Sequence, residues 1–260
     1  MQQTNTRRLL LGSIAAAAAA LLAPVAHAQT QPAKSVAVTA LVDHPALDAV
    51  RKGVEDELKA QGWIAGKNLK YQYQSAQGNS ATAGQIARKF IGDKADVIVA
   101  IATPSAQAAV VATSSVPVVF TAVTDPVAAK LVKDAKPSGT NVTGVSDRLP
   151  LAPQIDLMQK IVPGAKRIGM VYSPGEVNST IIVKKLKEAL AQRGMGLHEA
   201  AAPRTVDILS AAKSLIGKID FMYTTTDNYV VSAYEYMARL AADAKLPLVA
   251  SDTGSVARGA

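Results

Sequence analysis

The feature that most constrains the fold is a repeating order of short apolar runs and amphipathic helical stretches after residue 28. The run at 35–42 is β-branched and apolar, and apolar residues from Leu47 to Leu58 follow it at helical spacing. After Asp96, the run at 96–102 is apolar on both sides, which is typical of a strand buried between helices. Strands that alternate with helices predict an α/β doubly wound architecture with parallel sheets.

The second half of the chain repeats the order of the first half. Three strand-like segments recur in sequence, with the pairs 35–43 and 167–173, 95–103 and 219–226, and 116–121 and 246–251. The alternative is the general likeness of all α/β sheets, but the Gln, Gly and Pro placements around these segments coincide as well. We predict two Rossmann-like lobes, 29–146 and 147–260, divided where Gly144, Pro150 and Pro153 interrupt the pattern.

The N-terminal residues have the pattern of a secretory signal. Two arginines precede an apolar run of Leu and Ala at 9–22, and small residues flank a cleavage position after Ala28. The run is shorter than the ~20 residues that span a bilayer. Arg7 and Arg8 also resemble a twin-arginine signal, so two export routes stay open. We expect a signal peptide at 1–28 and a periplasmic mature protein.

Composition excludes several function classes. The chain has no cysteine, which excludes disulfides and thiolate metal sites. The net charge is +8, but the cations are scattered and do not alternate with aromatic residues, so we expect no nucleic-acid partner. Asp43 beside His44 has no identifiable third partner, and nucleophile-elbow, metalloprotease, Walker A and dinucleotide motifs do not occur. We therefore expect no enzyme, no cofactor and no metal site.

Polar residues are dense where the predicted strands end, which is where ligands bind open parallel sheets. We predict ligand contacts from His44, Thr103, Ser105, Thr124, Asp125, Ser146, Asp147, Tyr172, Glu176, Asn178, Ser179, Thr226, Asp227, Asn228 and Asp252. For each residue taken alone, helix capping is the alternative interpretation. As a set, helix N-termini suit a carboxylate and the acids suit an ammonium, so a small zwitterion is expected. Asp227 is our candidate for the ammonium contact.

Seven segments carry a resemblance to a known family, namely 44–48, 102–106, 124–126, 141–147, 172–179, 226–228 and 251–254. In their order and spacing they resemble bacterial ABC-transporter substrate-binding proteins related to tryptophan and tyrosine uptake. The resemblance implies a type I periplasmic-binding fold whose two lobes close by a hinge on a small polar ligand, with an aromatic amino acid favoured. It also implies a monomer, an ABC permease partner in the inner membrane, and a C-terminal return segment that is missing after Ala260.

A periplasmic sensor is the alternative function. Receptor ectodomains and repressor cores share this fold, and a fold alone does not determine function. A repressor would carry a DNA-binding helical pair and no export signal. A sensor domain that feeds a signalling partner stays open from the sequence.

Overall fold

The computed structural model describes residues 33–137 and 139–260, and the predicted signal peptide lies outside those residues. In the described part, no helix is both long and apolar enough to cross a bilayer. The apolar runs of the sequence become parallel strands, which form two separate sheets. This confirms the predicted α/β class.

The first lobe is a five-stranded parallel sheet with the order β2-β1-β3-β4-β5. Its elements are β1 (Lys34–Ala40), α1 (Pro45–Ala60), β2 (Leu69–Ser75), α2 (Ser80–Gly92), β3 (Val97–Ile101), α3 (Thr103–Ala112), β4 (Val118–Val123) and β5 (Val142–Ser146). Side chains on both faces of β1 and β3 are buried, including Val38, Ile98 and Ile101. Helices therefore cover both faces of the sheet, as the near-continuous apolar runs predict.

The second lobe is a four-stranded parallel sheet with the order β7-β6-β8-β9. Its elements are α4 (Leu151–Ile161), β6 (Arg167–Tyr172), α5 (Val177–Ala191), β7 (Gly196–Ala201), a 3₁₀ turn (Thr205–Asp207), α6 (Ile208–Leu215), β8 (Phe221–Thr224), α7 (Asn228–Ser232), α8 (Tyr234–Asp243), β9 (Leu248–Ala250) and α9 (Thr253–Val256). This order matches the first four strands of the first lobe, which confirms two lobes of similar topology. The limits 29–146 and 147–260 stay a prediction.

The end of β4 departs from regular strand geometry. Its register with β5 shifts between Phe120 and Val123, and Ala122 has a φ of 52°. Gly144 on β5 lies opposite Phe120, and a Cβ atom there would come within 2.1 Å of the Phe120 carbonyl oxygen. The close approach requires glycine at this position. The regular pairing of β4 with β5 is therefore interrupted at residues 121 and 122.

Among the described residues, three side-chain hydrogen bonds join the two lobes. The hydroxyls of Thr124 and Thr226 are 2.9 Å apart. The Tyr229 hydroxyl donates to the backbone oxygen of Gly78 at 2.8 Å. Lys185 on α5 pairs with Asp125, with 2.8 Å between Nζ and Oδ2. All of these residues follow the carboxyl ends of strands or lie on the helices behind them, so those ends of the two sheets face each other.

Candidate functional site

A cleft of about 270 Å³ lies between the facing ends of the two sheets. Most of its wall is apolar, with polar atoms grouped at a few positions. The first lobe contributes His44, Ala46, Leu47, Val50, Ala102, Thr121, Ala122, Val145 and Ser146, the connection after β5 contributes Asp147, and the second lobe contributes Thr226, Asn228, Val231 and Asp252. A cleft of this kind suits a small ligand with one apolar part.

In the first lobe, the connection from β3 to α3 adjoins the cleft at Ala102. This alanine has φ 74° and ψ 154°, a conformation that ordinary residues rarely adopt. Thr103 and Ser105 follow in the first turn of α3 and are 1% and 0% exposed. Their hydroxyls have no hydrogen-bond partner among the described residues. Free backbone N–H groups at the helix start and two unpartnered hydroxyls can together hold a carboxylate.

In the second lobe, Glu176 stands just before α5 and is 2% exposed. Its Oε2 atom accepts hydrogen bonds from the side-chain amides of Asn178 and Asn228, each at 2.8 Å. Glu176 Oε1 and Asn178 Oδ1 are buried and have no partner within residues 33–137 and 139–260. Burial and the nearby charge of Asp227 raise the pKa of Glu176 to about 7. Two free acceptors with a latent negative charge suit an ammonium group.

Asp227 has a different role in this geometry. It is 0% exposed, and it accepts hydrogen bonds from the backbone N–H of Ser173 at 2.6 Å and from the hydroxyls of Ser173 and Ser179 at 2.7 and 2.6 Å. It also accepts from the backbone N–H groups of Tyr229 and Val230, both at 3.0 Å. Because both carboxylate oxygens are engaged inside the second lobe, the geometry favours capping of α7 over the predicted ammonium contact.

The structure divides the predicted contact residues into three groups. Lining the cleft are His44, Ser146, Asp147, Thr226, Asn228 and Asp252. The buried polar clusters that adjoin it contain Thr103, Ser105, Glu176 and Asn178. Outside the lining are Thr124, Asp125, Tyr172, Ser179 and Asp227, of which all but Tyr172 make side-chain hydrogen bonds. Asn228 links the first two groups, because it lines the cleft and donates to Glu176.

The two polar clusters lie on opposite lobes but close to one another. Pro104 in the first turn of α3 and Gly175 just before Glu176 line the same groove. The starts of α3 and α5 therefore lie near each other across the two lobes.

Sequence reasoning did not find the apolar wall of the cleft. Their helical spacing predicts that Leu47 and Val50 lie on the buried face of a helix, and Val145 and Val231 have no distinguishing pattern. One signal was present, since Leu47 and Val50 follow His44 within two turns of α1.

His44 and Asp147 are two titratable residues that line the cleft. Burial lowers the pKa of His44 to about 4, so the imidazole is neutral at physiological pH. Burial raises the pKa of Asp147. His44 Nδ1 and Asp147 Oδ1 are buried and make no hydrogen bond in the part of the chain that the structure describes.

Two doubly wound lobes that enclose a polar and apolar cleft define a bilobal solute-binding protein. Residues 35–260 match the family of ABC transporter substrate binding proteins, and the chain belongs to this family. It is therefore a substrate-binding protein and not an enzyme. Proteins of this family are typically extracytoplasmic.

Individual relatives support the same assignment. A tyrosine-binding protein of Clostridioides difficile is 41% identical over 227 residues, which are 87% of this chain and 66% of that protein. A conserved domain protein of Vibrio cholerae has a crystal structure with 49% identity and a TM-score of 0.86, covering 87% of this chain and 77% of that one. An ABC domain in complex with L-Trp from Streptococcus pneumoniae is 32% identical with a TM-score of 0.83, and the match covers 86% of this chain and 76% of that one. The type I periplasmic-binding fold is confirmed.

Proposed function

We propose that this protein is the solute-binding component of an ABC importer and binds an aromatic L-amino acid between its two lobes. The observation that carries the proposal is the pair of buried, unpartnered acceptors Glu176 Oε1 and Asn178 Oδ1 beside an apolar cleft. Each buried polar atom without a partner costs about 1–3 kcal/mol. A ligand that supplies several N–H donors and a positive charge removes that cost.

The α-ammonium group occupies the Glu176 cluster, and the α-carboxylate occupies the start of α3. There, the hydroxyls of Thr103 and Ser105 and the first backbone N–H groups of the helix serve as donors. The positive end of the helix dipole adds to the attraction. This assignment replaces Asp227 by Glu176 as the partner of the ammonium.

The side chain of the ligand extends into the apolar cleft. Leu47, Val50 and Val231 provide walls on both lobes. An aromatic side chain buries about 150–250 Å² and gains most from such walls. The relatives named above for tyrosine binding and for the complex with L-Trp support an aromatic ligand.

Binding closes the lobes about the connection between β5 and α4, and the closed form presents the ligand to a permease in the inner membrane. The protein reaches the periplasm through a signal peptide cleaved after Ala28. The proposed lobes are 29–146 and 147–260.

Calorimetric titration with the proteinogenic L-amino acids tests the proposal. We expect saturable binding of tyrosine or tryptophan. Glu176→Gln keeps the hydrogen-bonding shape of the side chain but removes its charge, so affinity should fall about 10- to 150-fold. Glu199→Gln on β7 is the matched control, because Glu199 pairs only with Lys187 away from the cleft. Absence of aromatic amino-acid binding, or full affinity in Glu176→Gln, refutes the proposal.

A further inference from the structure

Asp147 follows β5 and presents a buried acceptor to the cleft. Its backbone N–H donates to the Val123 carbonyl oxygen at 3.1 Å, which fixes the residue beside the irregular end of β4. Its Oδ1 atom is fully buried and has no hydrogen-bond partner in the described ranges. The apolar side chains of Val145 and Ala122 line the same cleft. A carboxylate oxygen thus lies in the same cleft as these apolar side chains.

Helix capping does not account for Asp147 or for His44, which also lines the cleft. The next helix, α4, has Pro150 at its N-cap with no side-chain cap hydrogen bond. His44 stands at the N-cap of α1, but its side chain makes no cap hydrogen bond either. Asp252 is different, because both of its oxygens accept hydrogen bonds from Ser255 at the start of α9. Asp147 and His44 therefore each keep one buried polar atom without a partner among the described residues.

We propose that Asp147, together with His44 on the wall of the same cleft, selects ligands whose aromatic ring carries a hydrogen-bond donor, namely a phenol O–H or an indole N–H. The inference rests on the proposed amino-acid site and names the ligand class within it. Tyrosine and tryptophan satisfy the Asp147 acceptor. Phenylalanine leaves that acceptor desolvated and unpaired, and a site built around a donor rejects analogues that lack it.

The Asp147 carboxyl and the His44 imidazole can make different contacts with the ring of the ligand. Burial raises the pKa of Asp147, and the Thr124 hydroxyl partly counteracts that effect. The neutral imidazole of His44 has one N–H and one free lone pair, so it can donate to a phenol oxygen while Asp147 accepts the phenol proton. An indole uses the Asp147 contact alone.

A ligand series on the wild-type protein provides the first test. Calorimetry compares tyrosine with 4-methyl-L-phenylalanine, in which a methyl group replaces the hydroxyl, and with phenylalanine. We expect tyrosine to bind about tenfold or more tightly than either analogue. Equal affinities for the three ligands overturn the inference and leave the proposed function intact. Binding of no aromatic amino acid overturns both.

Asp147→Val provides the second test, because valine has a similar size but no acceptor. Tyrosine affinity should fall about tenfold while phenylalanine affinity stays the same or rises, so that the preference collapses. Asp156→Val on the exposed surface of α4 should leave the preference unchanged. An unchanged tyrosine preference in folded Asp147→Val contradicts the inference. If that variant does not fold, Asp147→Ala also removes the acceptor and should reduce the preference, and a full preference there contradicts the inference equally.

Discussion

Lys185 connects the two lobes through its ion pair with Asp125, and breaking this pair should weaken ligand binding from outside the cleft. In the described part of the chain, this is the one ion pair that joins residues of different lobes. Asp125 is held in place, because it also accepts the backbone N–H of Ala128 at 3.0 Å. Under the proposed hinge motion, opening of the lobes separates the two charges, so the pair contributes only to the closed form.

The size of the effect follows from the geometry. At 2.8 Å, two unit charges attract by about 6 kcal/mol at an effective dielectric constant of ~20. The Lys185 side chain is 43% exposed, so water and ions screen most of that attraction. Pairs at the surface contribute about 0.2–1 kcal/mol, and the Asp125 side chain, at 11% exposure, places this pair near the upper end. We expect a two- to fivefold loss of affinity, by roughly 1.4 kcal/mol per factor of ten.

Calorimetric titration of Lys185→Gln with the ligand measures this loss. Lys187→Gln is the matched control, because Lys187 lies on the same helix but pairs with Glu199 inside the second lobe. The difference between the variants should shrink at a salt concentration of about 0.5 M. Equal affinities of the two variants at low salt would refute the reasoning.

Three further changes have expected outcomes. The pKa of Glu176 is about 7, and a bound ammonium favours its ionised form, so ligand affinity should rise with pH up to about pH 8. Calorimetry in two buffers of different ionisation enthalpy should show proton release on binding below pH 7. An affinity that does not change with pH contradicts this. In the unfolded chain, Glu176 has its ordinary pKa of 4.5, so between pH 4.5 and pH 7 the unfolded state binds fewer protons than the folded state. Thermal melts of the unliganded protein should therefore show stability falling as pH rises through this range. Ala102→Gly should relieve the backbone strain at φ 74° and raise Tm by about 2–4 °C; an unchanged or lower Tm argues against strain. Gly144→Ala should lower the free energy of unfolding by about 2 kcal/mol or more in chemical denaturation, whereas Gly53→Ala, with open space around the added Cβ, should not. Similar effects of the two substitutions would show that the clash with Phe120 is relieved by a small shift of its neighbours.

The sheets could be predicted from the sequence because buried parallel strands have a local signature. The apolar run at 96–102 becomes β3, and the run at 167–173 becomes β6, with ends shifted by one residue. The repeated order of segments predicted the repeated strand order. These patterns reflect burial on both sides of a sheet, which each strand encodes in its own residues.

The site could be predicted only in part, because capping and ligand contact use the same residue types. Asp227 and Glu176 both follow strands of the second lobe, and the sequence does not separate them. Their neighbours do: Ser173 and Ser179 satisfy Asp227, whereas one oxygen of Glu176 stays unpartnered among the described residues. The apolar wall is formed by residues from both lobes, such as Val145 and Val231, which are more than 80 residues apart in the sequence. No local sequence pattern indicates which residues come together when the two lobes pack.

The placement of the recognition groups on three different elements has a stereochemical consequence. The start of α3, the start of α5 and the apolar wall each hold a different substituent of the ligand's α-carbon under the proposed assignment. Three fixed attachment points distinguish mirror images, because a D-amino acid that reaches two of them directs its third substituent elsewhere. The cleft is therefore chiral as a whole, although no single contact within it is.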